Sequence, residues 1–233
     1  LIPTMDNKNF KLKKLMIKRL FDMIGALTGI LLFSPIMIVV GLLIKFTSKG
    51  PIFFIQDRIG INGTIFKMFK FRTMINNSEK KETGLYIFEN DPRITKIGFF
   101  LRRTSFDELP QFFNVLIGSM SLVGPRPPVF YELGDWSSFT PTMKKRFKVK
   151  PGITGLAQIS GRNSLEWDKK IAYDLLYIKK YKNIGIVFDI YIVIKSFKVV
   201  ISGSNMLEKE DTVNTNKKIA KKAAESNQAN LNK

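Results

Sequence analysis

"MIGALTGILLFSPIMIVVGLLI", residues 23–44, contains no charged side chain. As a straight α-helix it would measure about 33 Å at roughly 1.5 Å per residue, enough to span the hydrocarbon core of a bilayer. It is too long for a signal-peptide core, and no small-residue cleavage site follows, so it is expected to stay with the chain. Ser34-Pro35 falls at its centre. Proline removes a backbone donor and crowds the preceding turn, which predicts a kink or break there. Both flanks are basic: "KNFKLKKLMIKR" (8–19) precedes the segment and "KFTSKG" (45–50) follows it. A single crossing would export one of them, against the tendency of Lys and Arg to stay on the cytoplasmic side. A re-entrant dip, each half about eleven residues long, keeps both flanks on one side. The Ser34 hydroxyl is then a candidate to take a carbonyl freed by the proline. A Pro-kinked transmembrane helix and a buried core helix fit the same length and composition.

Outward from this segment the chain divides into a basic N-terminal stretch (1–19), the membrane segment (20–46), a folded cytosolic domain (47–204) and a polar tail (205–233). The tail is lysine-rich and expected to be disordered. The expected fold is α+β: mostly helical, with a small β-hairpin, an N-terminal re-entrant helix broken at Ser34-Pro35, and amphipathic surface helices. Phe53 and Ile55, then Ile65, Phe66, Phe69 and Phe71, suggest two short strands around a turn at Asn62-Gly63. Residues 76–90 read as a polar loop. "DPRITKIGFFLRRTS" predicts a helix starting at Asp91-Pro92, and a second helix begins between Ser105 and Asp107 and ends at Gly118. A further helix is expected over 142–148, and "KPGITGLAQISGRN" (150–163) reads as a glycine-rich loop. Residues 167–181 and 187–201 read as amphipathic helices, a pattern met both by a membrane-surface helix and by a helix packed on a core.

Composition narrows the chemistry. The chain of 233 residues has no cysteine and no histidine. That removes thiolate nucleophiles, Ser-His triads and imidazole bases, and disfavours zinc and copper sites. A metal would be a hard cation held by oxygen, such as magnesium. The net charge of +19 points to an anionic partner: nucleic acid, a phosphorylated substrate or an acidic membrane surface.

"SFDELPQFFNV" (105–115) places two carboxylates, Asp107 and Glu108, side by side. Ser105 with Glu108 fits a capping box, which would make both acids ordinary helix-start residues. Their surroundings suggest more. Arg102 and Arg103 precede them, Arg126 of "GPRP" follows, and "FKMFKFR" carries Lys67, Lys70 and Arg72. Convergence of these loops would give carboxylates among cations, which suits magnesium-assisted phosphoryl transfer; an aspartate can itself attack phosphorus.

The ordered set of Ser34-Pro35, "QDRIGINGTIFKMFKFRTM", "LRRTSFDELPQFFNVLIGSMSLVGPRP" and "KPGITGLAQISGRN" resembles the bacterial sugar transferases, the monotopic phosphoglycosyl transferases that begin lipid-linked glycan assembly. The likeness runs from about Leu15 to Ser204 and is to the small catalytic-core form. It implies transfer of a sugar 1-phosphate from a UDP-sugar to polyprenyl (undecaprenyl) phosphate, with release of UMP and a requirement for magnesium. By position, Asp107 is the nucleophile that forms a covalent phosphosugar intermediate. Glu108 assists the acceptor phosphate or the metal, so both acids are metal-ligand candidates. Pro125 and Arg126 form the phosphate-gripping "GPRP", Lys70 and Arg102 line the site, and Arg162 and Asn163 of "SGRN" face the nucleotide. The likeness also implies a re-entrant helix in the cytoplasmic membrane and a catalytic domain facing the cytoplasm. Many relatives carry tryptophan where this chain has Leu156, a departure that bears on nucleotide or membrane contacts of that loop. The identity of the sugar, the glycan it feeds and formation of a homodimer stay open. The rival readings are a membrane-tethered basic nucleic-acid-binding protein and a non-catalytic membrane-surface scaffold. No nucleic acid is the expected partner, because aromatics sit in apolar runs rather than among the basic residues.

Overall fold

The computed structural model describes residues 5–76, 78, 91–129, 136–161 and 164–202. Arg162, Asn163, the tail 205–233 and most of the expected loop 76–90 lie outside the described residues.

The apolar segment forms helix α1, Met5–Thr47, which runs through Pro35 as one helix. The kink or break expected at Ser34-Pro35 therefore does not interrupt the helix. Two features carry the helix across. Pro35 cannot donate to the carbonyl of Leu31 four residues back, and the Ser34 hydroxyl donates to that carbonyl instead, at 3.0 Å. One face of α1 also packs on the domain on both sides of the proline: Ala26 before it, Val40 and Ile44 after it are buried. Phe33 stacks on Phe112 between them, ring centroids 6.3 Å apart. The opposite face stays apolar and exposed at Leu27, Leu31, Leu32, Ile38 and Val39. The stretch Leu12–Thr47 is long and apolar enough to cross a bilayer by length and composition.

Polar side chains fasten the base of α1. Arg19 donates to the carbonyls of Val115 and Leu116 at 2.6 and 2.7 Å, and Asp22 accepts from the Ser121 hydroxyl and the Leu122 amide at 2.9 and 3.0 Å. Lys18 pairs with Asp189 at 2.7 Å and donates to the Val123 carbonyl at 3.1 Å.

After α1 come strands β1 (Phe53–Ile59) and β2 (Ile65–Phe71), antiparallel, with Phe53 opposite Phe71 and Ile59 opposite Ile65. Asn62 and Gly63 make the turn with positive φ of 52° and 83°, as their sequence suggested. Helix α2, Lys96–Thr104, starts later than expected, with the Thr95 hydroxyl capping Gly98. Asp91 does not cap it, because its carboxylate is taken up by the backbone and guanidinium of Arg93.

The expected helix from Ser105 to Ile117 is split. Ser105 has a left-handed φ of 59° and ends α2, a 3-10 turn covers Phe106–Glu108, and helix α3 spans Gln111–Ile117. Ser105 makes no side-chain cap, so the capping box does not form. Strands β3 (Ser121–Val123) and β4 (Gly152–Thr154) pair in parallel. Helix α4 spans Pro141–Arg146, slightly N-terminal to expectation. Residues 156–160 of the expected glycine-rich loop form helix α5, Leu156–Ser160, with Leu156 buried in the main core.

Helices α6 (Trp167–Ile184) and α7 (Ile186–Ser202) match the two expected helices. They pack on the core through Tyr177, Phe188 and Ile192. Helix α7 also leaves Val187, Ile190, Ile194, Phe197 and Ile201 exposed, so both patterns weighed for these helices are present.

At Gly124 the backbone of the "GPRP" loop lies directly on the segment entering β4: an added Cβ would stand 2.4 Å from the Lys150 carbonyl oxygen. Gly124→Ala must therefore separate two backbones. The expected cost is about 1–3 kcal/mol in thermal or denaturant unfolding, and an unchanged transition contradicts this packing.

Candidate active site

The 3-10 turn presents Asp107 and Glu108 inward, 8% and 9% exposed. A buried carboxylate needs partners, because desolvation otherwise drives it to its neutral form. Glu108 has two through one oxygen: Oε1 accepts from Lys70 Nζ and from Arg126 Nη2, each at 2.9 Å. Strand β2 supplies Lys70 and the loop after β3 supplies Arg126, so a single carboxylate oxygen joins three segments distant in sequence.

Arg102 reaches the same place from the last turn of α2. Its Nε donates to the Thr73 hydroxyl at 2.8 Å, and Asp107 is the carboxylate that interacts with it most strongly. Burial pushes the Arg102 guanidinium below its ordinary value, and Asp107 opposes that shift. Burial likewise lowers the Lys70 ammonium, with Glu108 pulling it back up and Arg126 and Arg58 adding to the lowering. Three cations, Lys70, Arg102 and Arg126, thus stand by the two carboxylates, with Arg58 near Lys70, an excess that favours phosphate.

The "GPRP" loop is held by its backbone. Arg146, 1% exposed, donates to the Arg126 carbonyl at 2.8 Å and is paired with Asp174 at 2.7 Å. Burial pushes the Asp174 carboxyl up and Arg146 pulls it back. Arg58 donates to the Pro127 carbonyl at 3.0 Å, and the Pro125 carbonyl accepts from the Gly152 amide at 3.0 Å. Pro125 therefore serves the loop's shape, while Arg126 presents its guanidinium to the acids.

The structure brings together Asp107, Glu108, Lys70, Arg102, Pro125 and Arg126. Three other basic residues considered from the sequence stand elsewhere. Lys67 pairs with Asp57 on the hairpin surface at 3.2 Å, and Arg103 is exposed. Arg72 is tied to the carbonyls of Lys49 and Ser48. The period of a strand explains the placing of Lys67, which is three residues from Lys70 and so faces the opposite side. Arg58, Thr73, Arg146 and Asp174 were missed. Arg58 stood in a quoted motif without a role, and nothing local marks the Arg146–Asp174 pair.

Asp107 and Glu108 also suit a magnesium ion. Magnesium takes oxygen ligands, often one or two carboxylates completed by substrate phosphates, and these are two adjacent buried carboxylates among phosphate-binding cations.

The bacterial sugar transferase family, compared as a sequence model, matches residues 13–203. The galactosyl transferase CpsE of Streptococcus agalactiae serotype III (strain NEM316) is 43% identical over 212 residues, covering 86% of this chain and 46% of that protein. A UDP-glucose:undecaprenyl-phosphate glucose-1-phosphate transferase of Klebsiella pneumoniae is 48% identical over 167 residues, 70% of this chain and 36% of that protein. The exopolysaccharide production protein ExoY of Rhizobium meliloti (strain 1021) is 38% identical over 199 residues, 79% of this chain and 85% of that protein. The chain spans less than half the length of the first two relatives.

Glu108 is the strongest influence holding the Lys70 proton on. Glu108→Gln is therefore expected to move the Lys70 titration further down. Amine modification of Lys70 against pH, read by mass spectrometry, measures it; an unmoved midpoint contradicts the pairing.

Proposed function

The chain belongs to the bacterial sugar transferase family, and from that premise we propose that it is a phosphoglycosyl transferase. It moves a sugar 1-phosphate from a UDP-sugar to polyprenyl phosphate, through a covalent intermediate on Asp107. The observation that carries this reading is the burial of adjacent Asp107 and Glu108 among Lys70, Arg102 and Arg126, with Lys70 and Arg126 both on Glu108 Oε1.

In the first half-reaction an Asp107 carboxylate oxygen attacks the phosphorus that bears the sugar. An O–P bond forms, the bond to the bridging oxygen of the pyrophosphate breaks, and UMP leaves with that oxygen. In the second half-reaction a phosphate oxygen of the polyprenyl acceptor attacks the same phosphorus. The acyl phosphate bond breaks, Asp107 is regenerated as a carboxylate, and the product is a polyprenyl pyrophosphate sugar. Arg102 and Arg126 neutralise phosphate charge as it builds up. Lys70 and Arg126 hold Glu108 in place beside the acceptor phosphate. Asp107 and Glu108 are the residues that would hold a magnesium ion, which would supply further neutralisation of phosphate charge. Arg162 and Asn163 are assigned to the nucleotide.

The membrane placement follows from α1. Its basic flanks favour a seat in the cytoplasmic leaflet of the cytoplasmic membrane, with the domain facing the cytoplasm. The exposed apolar faces of α1 and α7 supply the lipid contact. The acceptor then keeps its chain in lipid while its phosphate meets the site. Whether α1 re-enters on the same side is the sharper part of this proposal; the two basic flanks support it.

Two outcomes are expected. Membrane preparations given magnesium, polyprenyl phosphate and a panel of UDP-sugars should release UMP with one of them, and Asp107→Asn should lower that release by about 10³-fold or more. A nucleic-acid-binding protein or a scaffold would release none, and full activity in the variant would remove Asp107 from the reaction. The Lys70 ammonium is lowered from 10.5, so if protonated Lys70 is required, turnover should fall on the alkaline side before that pH. Lys70→Arg should push that limb upward, and an unshifted limb would detach it from Lys70.

A further inference from the structure

Lys70 reaches Glu108 from β2, and among the described residues β2 has a single strand partner, β1. Its other edge pairs with no strand among the described residues, and an edge without a strand partner can slide or pair elsewhere. Arg72 shows which backbone groups face β1, since its amide donates to the Ile52 carbonyl. Strand amides and carbonyls alternate sides, so Lys67 and Phe69 point theirs to that other edge. Both meet one side chain. Asn114 Nδ2 donates to the Lys67 carbonyl at 2.7 Å, and Asn114 Oδ1 accepts from the Phe69 amide at 2.9 Å. A carboxamide on α3 thus replaces the peptide group of a missing third strand.

Its remaining capacity is used as well. Nδ2 also donates to the Ser119 hydroxyl at 3.2 Å, and the Asn114 carbonyl accepts from Gly118, Ser119 and Met120. Asn114 is 1% exposed, which rules out direct contact with a ligand. It stands one residue from Lys70 across the Phe69 bond and six residues along the chain from Glu108. This amide therefore ties the strand that carries Lys70 to the helix that follows Glu108. Aspartate has the same shape but offers a second acceptor to the Lys67 carbonyl, and alanine offers neither group.

We propose that Asn114 is a positioning residue that acts through Lys70: its carboxamide fixes this edge of β2 and so sets the Lys70 ammonium on Glu108. The inference deepens the transferase reading and rests on it for its kinetic readout. A buried amide and carbonyl lose their partners together, so Asn114→Ala should lower kcat roughly 10- to 100-fold and change the donor KM by less than about threefold. Because the effect runs through Lys70, the same substitution in a Lys70→Ala background should cost less than about threefold more. Multiplying losses would overturn the proposal and leave Asn114 a general packing residue.

A second readout does not depend on turnover. In the intact chain Lys70 should react with acetic anhydride far more slowly than Lys67, its exposed neighbour on the strand. In Asn114→Ala the Lys70 rate should rise about tenfold toward that of Lys67, in protein that still unfolds cooperatively. An unchanged Lys70 rate would overturn the proposal. Asn114→Asp is read in the same way where the alanine variant does not fold. If the unmodified protein releases no UMP, the transferase reading falls, and the labelling comparison alone decides for or against Asn114.

Discussion

One carboxylate oxygen organises this molecule. Glu108 Oε1 takes a hydrogen bond from Lys70 and another from Arg126 in a largely buried position. Ionised groups are costly to bury, and removing one partner from such a set leaves an uncompensated charge. The hairpin, the 3-10 turn and the "GPRP" loop must therefore arrive together. Much of the surrounding structure reads as provision for that meeting: Arg146 and Asp174 hold the loop from below, Arg58 from the side, and Gly124 lets its backbone lie on the segment entering β4.

Helix α1 belongs to the same arrangement. Lys18, Arg19 and Asp22 at the base of α1 bind the end of α3 and the strand that leads into "GPRP". Asp189 of α7 meets Lys18, and Tyr177 of α6 joins Asp189 to the Val123 carbonyl. Helix α1 is thus fastened to the segment that carries Arg126, three residues beyond Val123. In the transferase reading this gives the catalytic loop a fixed height relative to the lipid, where the acceptor's phosphate has to be met.

What could be read from the sequence was whatever is encoded locally. Asn62-Gly63 set its own turn, Gly118 its own helix end, and the apolar periodicity of 167–201 its two helices. The Asp107-Glu108 pair stood out because arginines flanked it and no histidine or cysteine competed for the chemistry. Readings failed where a distant partner outbid a local rule. Ser105 and Glu108 form a plausible capping box, yet Lys70 and Arg126 take the glutamate. Asp91 looks like a helix start, yet Arg93 takes its carboxylate. Pro35 predicts a kink or break, yet one hydroxyl and a packed face keep α1 a single helix through it. The Arg146–Asp174 pair and the hold of Asn114 on β2 depend on contacts across 28 and 45–47 residues, which no local pattern announces.

The central claim is that Asp107 becomes bonded to phosphorus during turnover. The most direct test is intact-mass analysis of the protein given a turned-over UDP-sugar and magnesium but no acceptor, followed by peptide mapping. The account predicts a protein heavier by one sugar phosphate, with the adduct on Asp107, discharged when polyprenyl phosphate is added. A protein that releases UMP at full rate with acceptor, yet never carries that mass under donor-only conditions, would contradict it.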